Sequence, residues 1–312
     1  MESSLTTVVP PPHRAQADVT SANASPAETA ASRLVLTPLQ LAFFETFGYL
    51  VLRGAMADDI GWIIDEFEAA WRARPDITHD GSLRTMFPGN MIEQRRRLTT
   101  LLDHPVVTGC ADGLLGAGWT FCGGDGNFYA GDTGWHSDLA PGAWESKNVC
   151  RHLKIAFYLD PLTPTTGALR VIPGSHIRGD RYAELLEQLT PWMNKGDRLA
   201  GLPGPEVPCV ALTQDPGDLV MFDHRTKHAA FGGNQRRRMF TMNLQAPCTT
   251  PEQRAAALDV FRYYRDKENV PWQWPRAWLD AMTPGERQRL DLAIELSRIV
   301  RAEKGLAGDA IV

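Results

Sequence analysis

Apolar residues recur at two periods along this chain, and the change of period divides it. Leu39, Phe43, Phe44 and Phe47 follow helical spacing. Thr37 suits the N-cap, Pro38 the first helical position and Gly48 the stop. A short strand over 49–52 and a second helix over 58–72 come next, the helix burying Ile60, Ile63, Ile64, Phe67 and Trp71. From about 119 to 244, short β-prone runs alternate with Gly, Pro, Asp and Asn. Strands are predicted over 119–121, 127–130, 151–159, 168–172, 207–211, 218–222 and 239–244. Many short strands without intervening helices imply an antiparallel sandwich or jelly roll. The stretch between His176 and Leu199 reads as a helical insertion.

After Pro247 the helical period returns. Thr250 with Gln253 has the form of a capping box, opening a helix to about Asp266. Thr283 with Glu286 repeats the signal before a helix ending near Lys304, and an aromatic loop over 271–275 lies between. Residues 1–33 are rich in Ala, Ser, Thr and Pro and lack apolar periodicity, so a flexible tail is expected. The expected organisation is that tail and one domain over 34–312. Its core spans about 119–246, with a helical C-terminal extension over 250–305.

Composition narrows the class. With 43% hydrophobic and 22% charged residues, the 312-residue chain has an ordinary globular make-up. Its formal net charge of −5 and lack of a long basic run argue against a nucleic-acid or anionic-membrane partner. No apolar stretch approaches the roughly 20 residues of a membrane span. Cys110, Cys122, Cys150, Cys209 and Cys248 are scattered and contain no CxxC pair. That argues against a disulfide framework and a zinc-thiolate site and favours free thiols in a reducing cytosol. The start at Met1 shows no basic region followed by an apolar run, so a cytoplasmic location is expected.

The candidate chemistry begins at His136-Ser137-Asp138. On a strand, residues i and i+2 point to one side, so His136 and Asp138 can converge on one metal while Ser137 points away. A histidine from a distant strand completes a set of two imidazoles and one carboxylate, which suits iron(II) and leaves the opposite face open. His228 is the candidate, with His224 competing. Arg236-Arg237-Arg238 opens the strand that follows. A cosubstrate with a distal carboxylate needs a guanidinium. The two-residue period puts Arg237, Met239, Thr241 and Asn243 on one face and Phe240, Met242 and Leu244 on the other. Arg237 is therefore preferred to Arg238. Trp135 is expected to pack beside the site, Arg170 to form a structural ion pair, and His176 to be structural. Arg95, Arg96 and Arg97 are expected on a solvated helix face, and the Trp272/Trp274 loop in core or interface packing. Which side chains of 84–97 and 262–278 line the pocket stays open.

From about Leu36 to Leu244 the chain resembles the phytanoyl-CoA dioxygenase family of iron(II)/2-oxoglutarate oxygenases. The resemblance rests on an ordered series: Phe43-Phe44-Glu45-Thr46-Phe47-Gly48-Tyr49-Leu50-Val51-Leu52, Trp135-His136-Ser137-Asp138 and Tyr158-Leu159-Asp160. It continues through Thr166-Gly167-Ala168-Leu169, Ile172-Pro173-Gly174-Ser175-His176, Pro216-Gly217-Asp218, His228 and the arginine-led strand. It implies a mainly β protein with flanking helices and a double-stranded β-helix (cupin-like jelly roll) core. It implies iron(II) on His136, Asp138 and His228, with 2-oxoglutarate and O2 as cosubstrates and Arg237 as the 2-oxoglutarate clamp. Asn127, on the strand before the ligand turn, and Thr241 join Arg237 as candidate 2-oxoglutarate contacts.

The family's hydroxyl shortly after the distal histidine does not transfer, because Ala230 stands there. Related halogenases lack the carboxylate that Asp138 supplies, so hydroxylation or another oxidative outcome is expected, with release of succinate and CO2. No basic cluster is placed for a CoA phosphate, which favours a small metabolite or natural product as substrate. The oligomeric state is not legible. Two other readings compete: a non-oxidative jelly-roll metalloenzyme (isomerase or hydrolase), and a non-catalytic jelly-roll binding protein.

Overall fold

The computed structural model describes residues 33–138, 149–189, 198–233, 237–268 and 274–306. The expected tail lies almost wholly outside them, as does Trp272. Among the described residues, the strands are β1 (Tyr49–Leu52), β2 (Thr85–Met86), β3 (Thr120–Gly123), β4 (Gly126–Tyr129) and β5 (Thr133–His136). They continue as β6 (His152–Tyr158), β7 (Leu169–Val171), β8 (Arg198–Leu199), β9 (Leu202–Pro203) and β10 (Val210–Leu212). The last three are β11 (Leu219–Asp223), β12 (His228–Ala230) and β13 (Arg237–Gln245). The principal helices are α1 (Pro38–Phe47), α2 (Ile60–Arg72), α3 (Arg96–Thr99), α4 (Pro105–Leu115), α5 (Arg181–Leu189) and α6 (Pro251–Glu268). Three more follow: α7 (Arg276–Asp280), α8 (Pro284–Gln288) and α9 (Asp291–Glu303).

The strands form two main antiparallel sheets. One runs β1-β11-β6-β13-β4-β2, with β3 also on β13; the other runs β10-β7-β12-β5. Side chains from both line one cavity. The outer face of the larger sheet packs on helices around Phe44, Phe67, Phe157, Phe240 and Ile294. Among the described residues, no helix is long and apolar enough to cross a membrane.

Local signals explain most boundaries. Thr37 and Gln40 form the reciprocal capping box of α1, and Gly48 ends it in the left-handed conformation. A Cβ at Gly48 would also meet His176 Nδ1 and Thr226 Oγ1 at 2.5 Å, so the stop doubles as a close packing point. Three expectations need correction. Leu39 is 72% exposed, so the apolar stripe of α1 is narrower than its spacing implied. The single C-terminal helix expected from Thr283 is broken into α8 and α9 at Arg289–Leu290. Arg170 donates to the Pro164 and Pro205 carbonyls, its charge lying over the Phe231 ring rather than on a carboxylate among the described residues. The rest of that group falls closer to expectation. His176 is buried against the Glu45 carbonyl, and Trp274 is buried and stacked on Trp278. Arg95 and Arg96 are partly exposed but paired, with Glu66 and Glu286.

Candidate metal centre and its cavity

Pairing of β5 with β12 brings the ligand candidates together. His136 closes β5, His228 opens β12, and the two are register partners. Paired strands lie about 5 Å apart, so this register sets the imidazoles side by side, with ring centroids 4.2 Å apart. Asp138 lies just beyond the end of β5, where its backbone N–H donates to the His224 carbonyl at 2.9 Å. Its carboxylate stands 4.0 Å from His136 Nε2 and 3.7 Å from His228 Nε2. One ligand atom from each of the three lies within 4.8 Å of the others. His224 belongs elsewhere: it gives Asp138 a backbone carbonyl and packs its ring 5.6 Å from that of His152. Ser137 faces away, as its position predicts, toward the buried Lys227, whose Nζ is 3.3 Å from its hydroxyl.

The protonation states suit a divalent metal. His136 Nδ1 meets the Gly134 carbonyl at 2.8 Å, and His228 Nδ1 meets the Thr226 carbonyl at 3.0 Å. A carbonyl only accepts, so each Nδ1 carries the proton and each Nε2 keeps a lone pair on the Asp138 side. Burial, reinforced by His228, brings the His136 pKa down to about 3. Burial also lowers that of His228. Burial opposes ionisation of Asp138, but Lys154 and the neighbouring histidines hold its carboxyl well below the usual range. Lys154 Nζ is 2.7 Å from Asp138 Oδ2. Two neutral imidazoles and an ionised carboxylate are the donors that iron(II) takes on one face.

A cavity of ≈ 580 Å³, counted to its open mouth, lies against this cluster. Arg237 forms part of its wall although the residue is only 4% exposed. The guanidinium donates to the Gly167 carbonyl and lies 4.5 Å from the Tyr129 ring centre. Its Nε is buried with no hydrogen-bond partner among the described residues. Burial lowers the Arg237 pKa. A buried cation with an unmet donor is a receptor for a carboxylate. Gly167 makes the arrangement possible: its φ is +92°, and a Cβ there would collide with Arg237 Nη1. The neighbouring Arg238 points out of the cavity into ion pairs with Asp160 (2.5 Å) and Glu68 (3.0 Å).

The other two candidates are placed differently. Thr241 lines the cavity, but its hydroxyl donates to Asp125 Oδ1 and accepts from the Asp125 N–H. Asn127 is fully buried behind the wall. Its Oδ1 accepts from Arg84 Nε at 2.8 Å and its Nδ2 donates to Asp125 Oδ2 at 2.5 Å. Both side chains therefore hold the Arg84–Asp125 ion pair, which is itself in the wall. Sequence reasoning missed Asp125, Lys154, Tyr129 and Thr133. Lys154 carried a signal: a lone charge in the apolar run His152–Tyr158, on the same alternation as Ala156 and Tyr158.

The family model for phytanoyl-CoA dioxygenase matches residues 44–239, more than half of the chain, and the protein belongs to that family. Among solved structures, the non-heme alpha ketoglutarate dependent carbocyclase SnoK from nogalamycin biosynthesis is 18% identical. The match covers 68% of this chain and 84% of that one, at a TM-score of 0.52. The epimerase SnoN, solved with Fe3+, alpha ketoglutarate and nogalamycin RO, is also 18% identical, covering 68% and 83% at a TM-score of 0.50. EvdO2 from Micromonospora carbonacea var. aurantiaca, solved with 2-oxoglutarate, is 20% identical, covering 70% and 97% at a TM-score of 0.48. At these identities the likeness to SnoK and SnoN is one of fold. No curated protein matches the chain in sequence.

Proposed function

We propose that the protein is an iron(II)- and 2-oxoglutarate-dependent dioxygenase. It hydroxylates or otherwise oxidises a C–H bond of a small metabolite or natural product, releasing succinate and CO2. One observation carries the reading: His136, Asp138 and His228 converge on a cavity whose wall also includes the buried cation Arg237. Strand order supports it. β4, β6, β11 and β13 lie in one sheet and β5, β7, β10 and β12 in the other, the alternation of a double-stranded β-helix. We read residues 34–312 as a single oxygenase domain on that plan.

His136, Asp138 and His228 would hold the iron, and Arg237 the distal carboxylate of 2-oxoglutarate. The bound iron supplies activation of O2, driven by decarboxylation of 2-oxoglutarate, and the oxidising power for the C–H bond. The protein's own contribution is positioning. The Gly134 and Thr226 carbonyls fix both imidazole rings by their Nδ1–H bonds. The Gly167 carbonyl fixes Arg237, and Lys154 steadies the Asp138 carboxylate. Leu169, Phe222 and Met239 give the wall apolar surface that limits water near the reacting atoms. Asp138 occupies the position that a halide would need, which favours oxygen insertion over halogenation.

The test is direct. Protein incubated with Fe(II), 2-oxoglutarate and O2 is expected to form succinate, and His136→Ala to form none. Absence of succinate from wild type, with His136→Ala indistinguishable from it, leaves a non-oxidative metalloenzyme or a binding protein as the reading.

A further inference from the structure

We propose that Cys150 and Cys248 are a redox-responsive modification site, closing to a disulfide when a hydroperoxide reaches them and fastening β6 to the segment after β13. The two lie 98 residues apart in sequence, yet their sulfurs stand 3.7 Å apart. The sheet brings them together. β6 and β13 pair in antiparallel register as far as His152 and Gln245, and the Ala246 N–H donates to the Arg151 carbonyl at 2.9 Å just beyond. Cys150 precedes one strand and Cys248 follows the other, so both stand at the same end of the ladder. The other three cysteines lie in other elements: Cys110 in α4, Cys122 in β3 and Cys209 just before β10.

The two sulfurs take different parts. Cys150 is buried, whereas Cys248 is half-buried and open to a small oxidant. Gln245 Nε2 donates to the Cys248 sulfur at 3.4 Å. The hydrogen bond with Cys150 holds the Cys248 thiol below its ordinary pKa, against burial, and Arg254 and Gln245 add to it. A thiolate is the nucleophile toward a peroxide. The Cys248 sulfur attacks the O–O bond and takes one oxygen as a sulfenic acid, and the other oxygen leaves as alcohol or water with the thiol proton. The Cys150 sulfur then displaces the sulfenic oxygen, which departs as water with the Cys150 proton. Each sulfur gives up one electron, and the cleaved O–O bond takes both. Cys110 is the contrast: burial pushes its thiol up to about 12, which keeps it protonated at neutral pH. The bond bears on the site through the backbone. The His152 carbonyl, two residues on from Cys150, accepts from the His224 N–H at 3.2 Å, and the His224 carbonyl accepts from the Asp138 N–H at 2.9 Å. Fixing the strand ends therefore fixes the support of Asp138. Neither metal nor 2-oxoglutarate takes part in the step.

Treatment of the full chain with stoichiometric hydrogen peroxide tests the site. Thiols counted after unfolding are expected to fall from five to three, with Cys150 and Cys248 joined in one cross-linked peptide by mass spectrometry. The melting temperature is expected to rise by about 5 °C or more, because the bond closes a long loop in the unfolded chain, and dithiothreitol is expected to reverse both changes. Cys248→Ser is expected to lose no thiol to peroxide. Cys209→Ser, which removes the other half-buried cysteine, is expected to lose the same two as wild type. Five thiols surviving peroxide in wild type overturns the proposal, as does a bond that joins two protein molecules or engages Cys209. A Cys150–Cys248 bond that leaves the melting temperature unchanged overturns the fastening.

Discussion

The two faces of β6 and β13 do different work with the same backbone. Outward, Leu153, Ile155 and Phe157 on β6 and Phe240, Met242 and Leu244 on β13 are buried in one apolar core. Inward, Lys154, Ala156 and Tyr158 meet Arg237, Met239 and Thr241 along the cavity. The outer face is stable through area and close packing, which ask only for apolar volume. Every polar group of the inner face needs a particular partner in a particular direction, and Arg237 Nε and Asn243 Oδ1 lack a protein partner among the described residues. A fold that stores stability on one face can leave the other polar enough to bind.

The sharpest way to test that contrast is to damage each face in turn. Phe240 is fully buried and stacked on Phe157, with centroids 4.5 Å apart and planes 4° from parallel. Phe240→Ala is expected to lower unfolding stability by about 3–5 kcal/mol in denaturant titration. Next in size is the inner-face arginine. Arg237→Ala is expected to weaken 2-oxoglutarate about 100-fold, from loss of two charge-assisted bonds, with a much smaller change in stability. Arg238→Ala, one residue away but paired with Asp160 and Glu68, is expected to keep wild-type 2-oxoglutarate affinity and to lose at most about 1 kcal/mol of stability. Reversal of that pair of results would break the comparison. Gly167→Ala strains a left-handed backbone position and displaces Arg237, so a loss of roughly tenfold in 2-oxoglutarate affinity is expected by calorimetry.

The smallest effect is a pH dependence. Burial raises the Glu93 pKa from 4.5 to about 8, against the hydrogen bond from Asn90. The folded state therefore holds a proton that the unfolded state has released between those two values, and stability falls as pH rises from about 4.5 to 8. Glu93→Gln removes this loss. It is expected to gain on the order of 1 kcal/mol over wild type at pH 8 relative to pH 5 in paired thermal melts, after discounting for solvent at the partly exposed side chain.

What was legible in the sequence followed from periodicity. The β13 alternation named Arg237 as inward and Phe240 as outward, and both are so placed. Capping residues located the starts of α1 and α8. The strands β5 and β12, which carry the histidines, were not among the predicted strands, because four residues with two glycine-flanked turns and three residues of His-Ala-Ala show little period. Convergence of His136 with His228 was inferred from ligand chemistry and family resemblance; the cross-strand register that achieves it is a tertiary fact. The same holds for Cys150 meeting Cys248. Asn127 and Thr241 were placed at the site by face alone, and only their hydrogen bonds show them serving Arg84 and Asp125.

Diffraction from crystals grown with Mn(II) and 2-oxoglutarate tests the central claim most directly. The account predicts the metal on His136 Nε2, an Asp138 oxygen and His228 Nε2, with the distal carboxylate of 2-oxoglutarate on Arg237. A metal held by other side chains, or a carboxylate seated on Arg84 with Arg237 Nε still unmet, would contradict it.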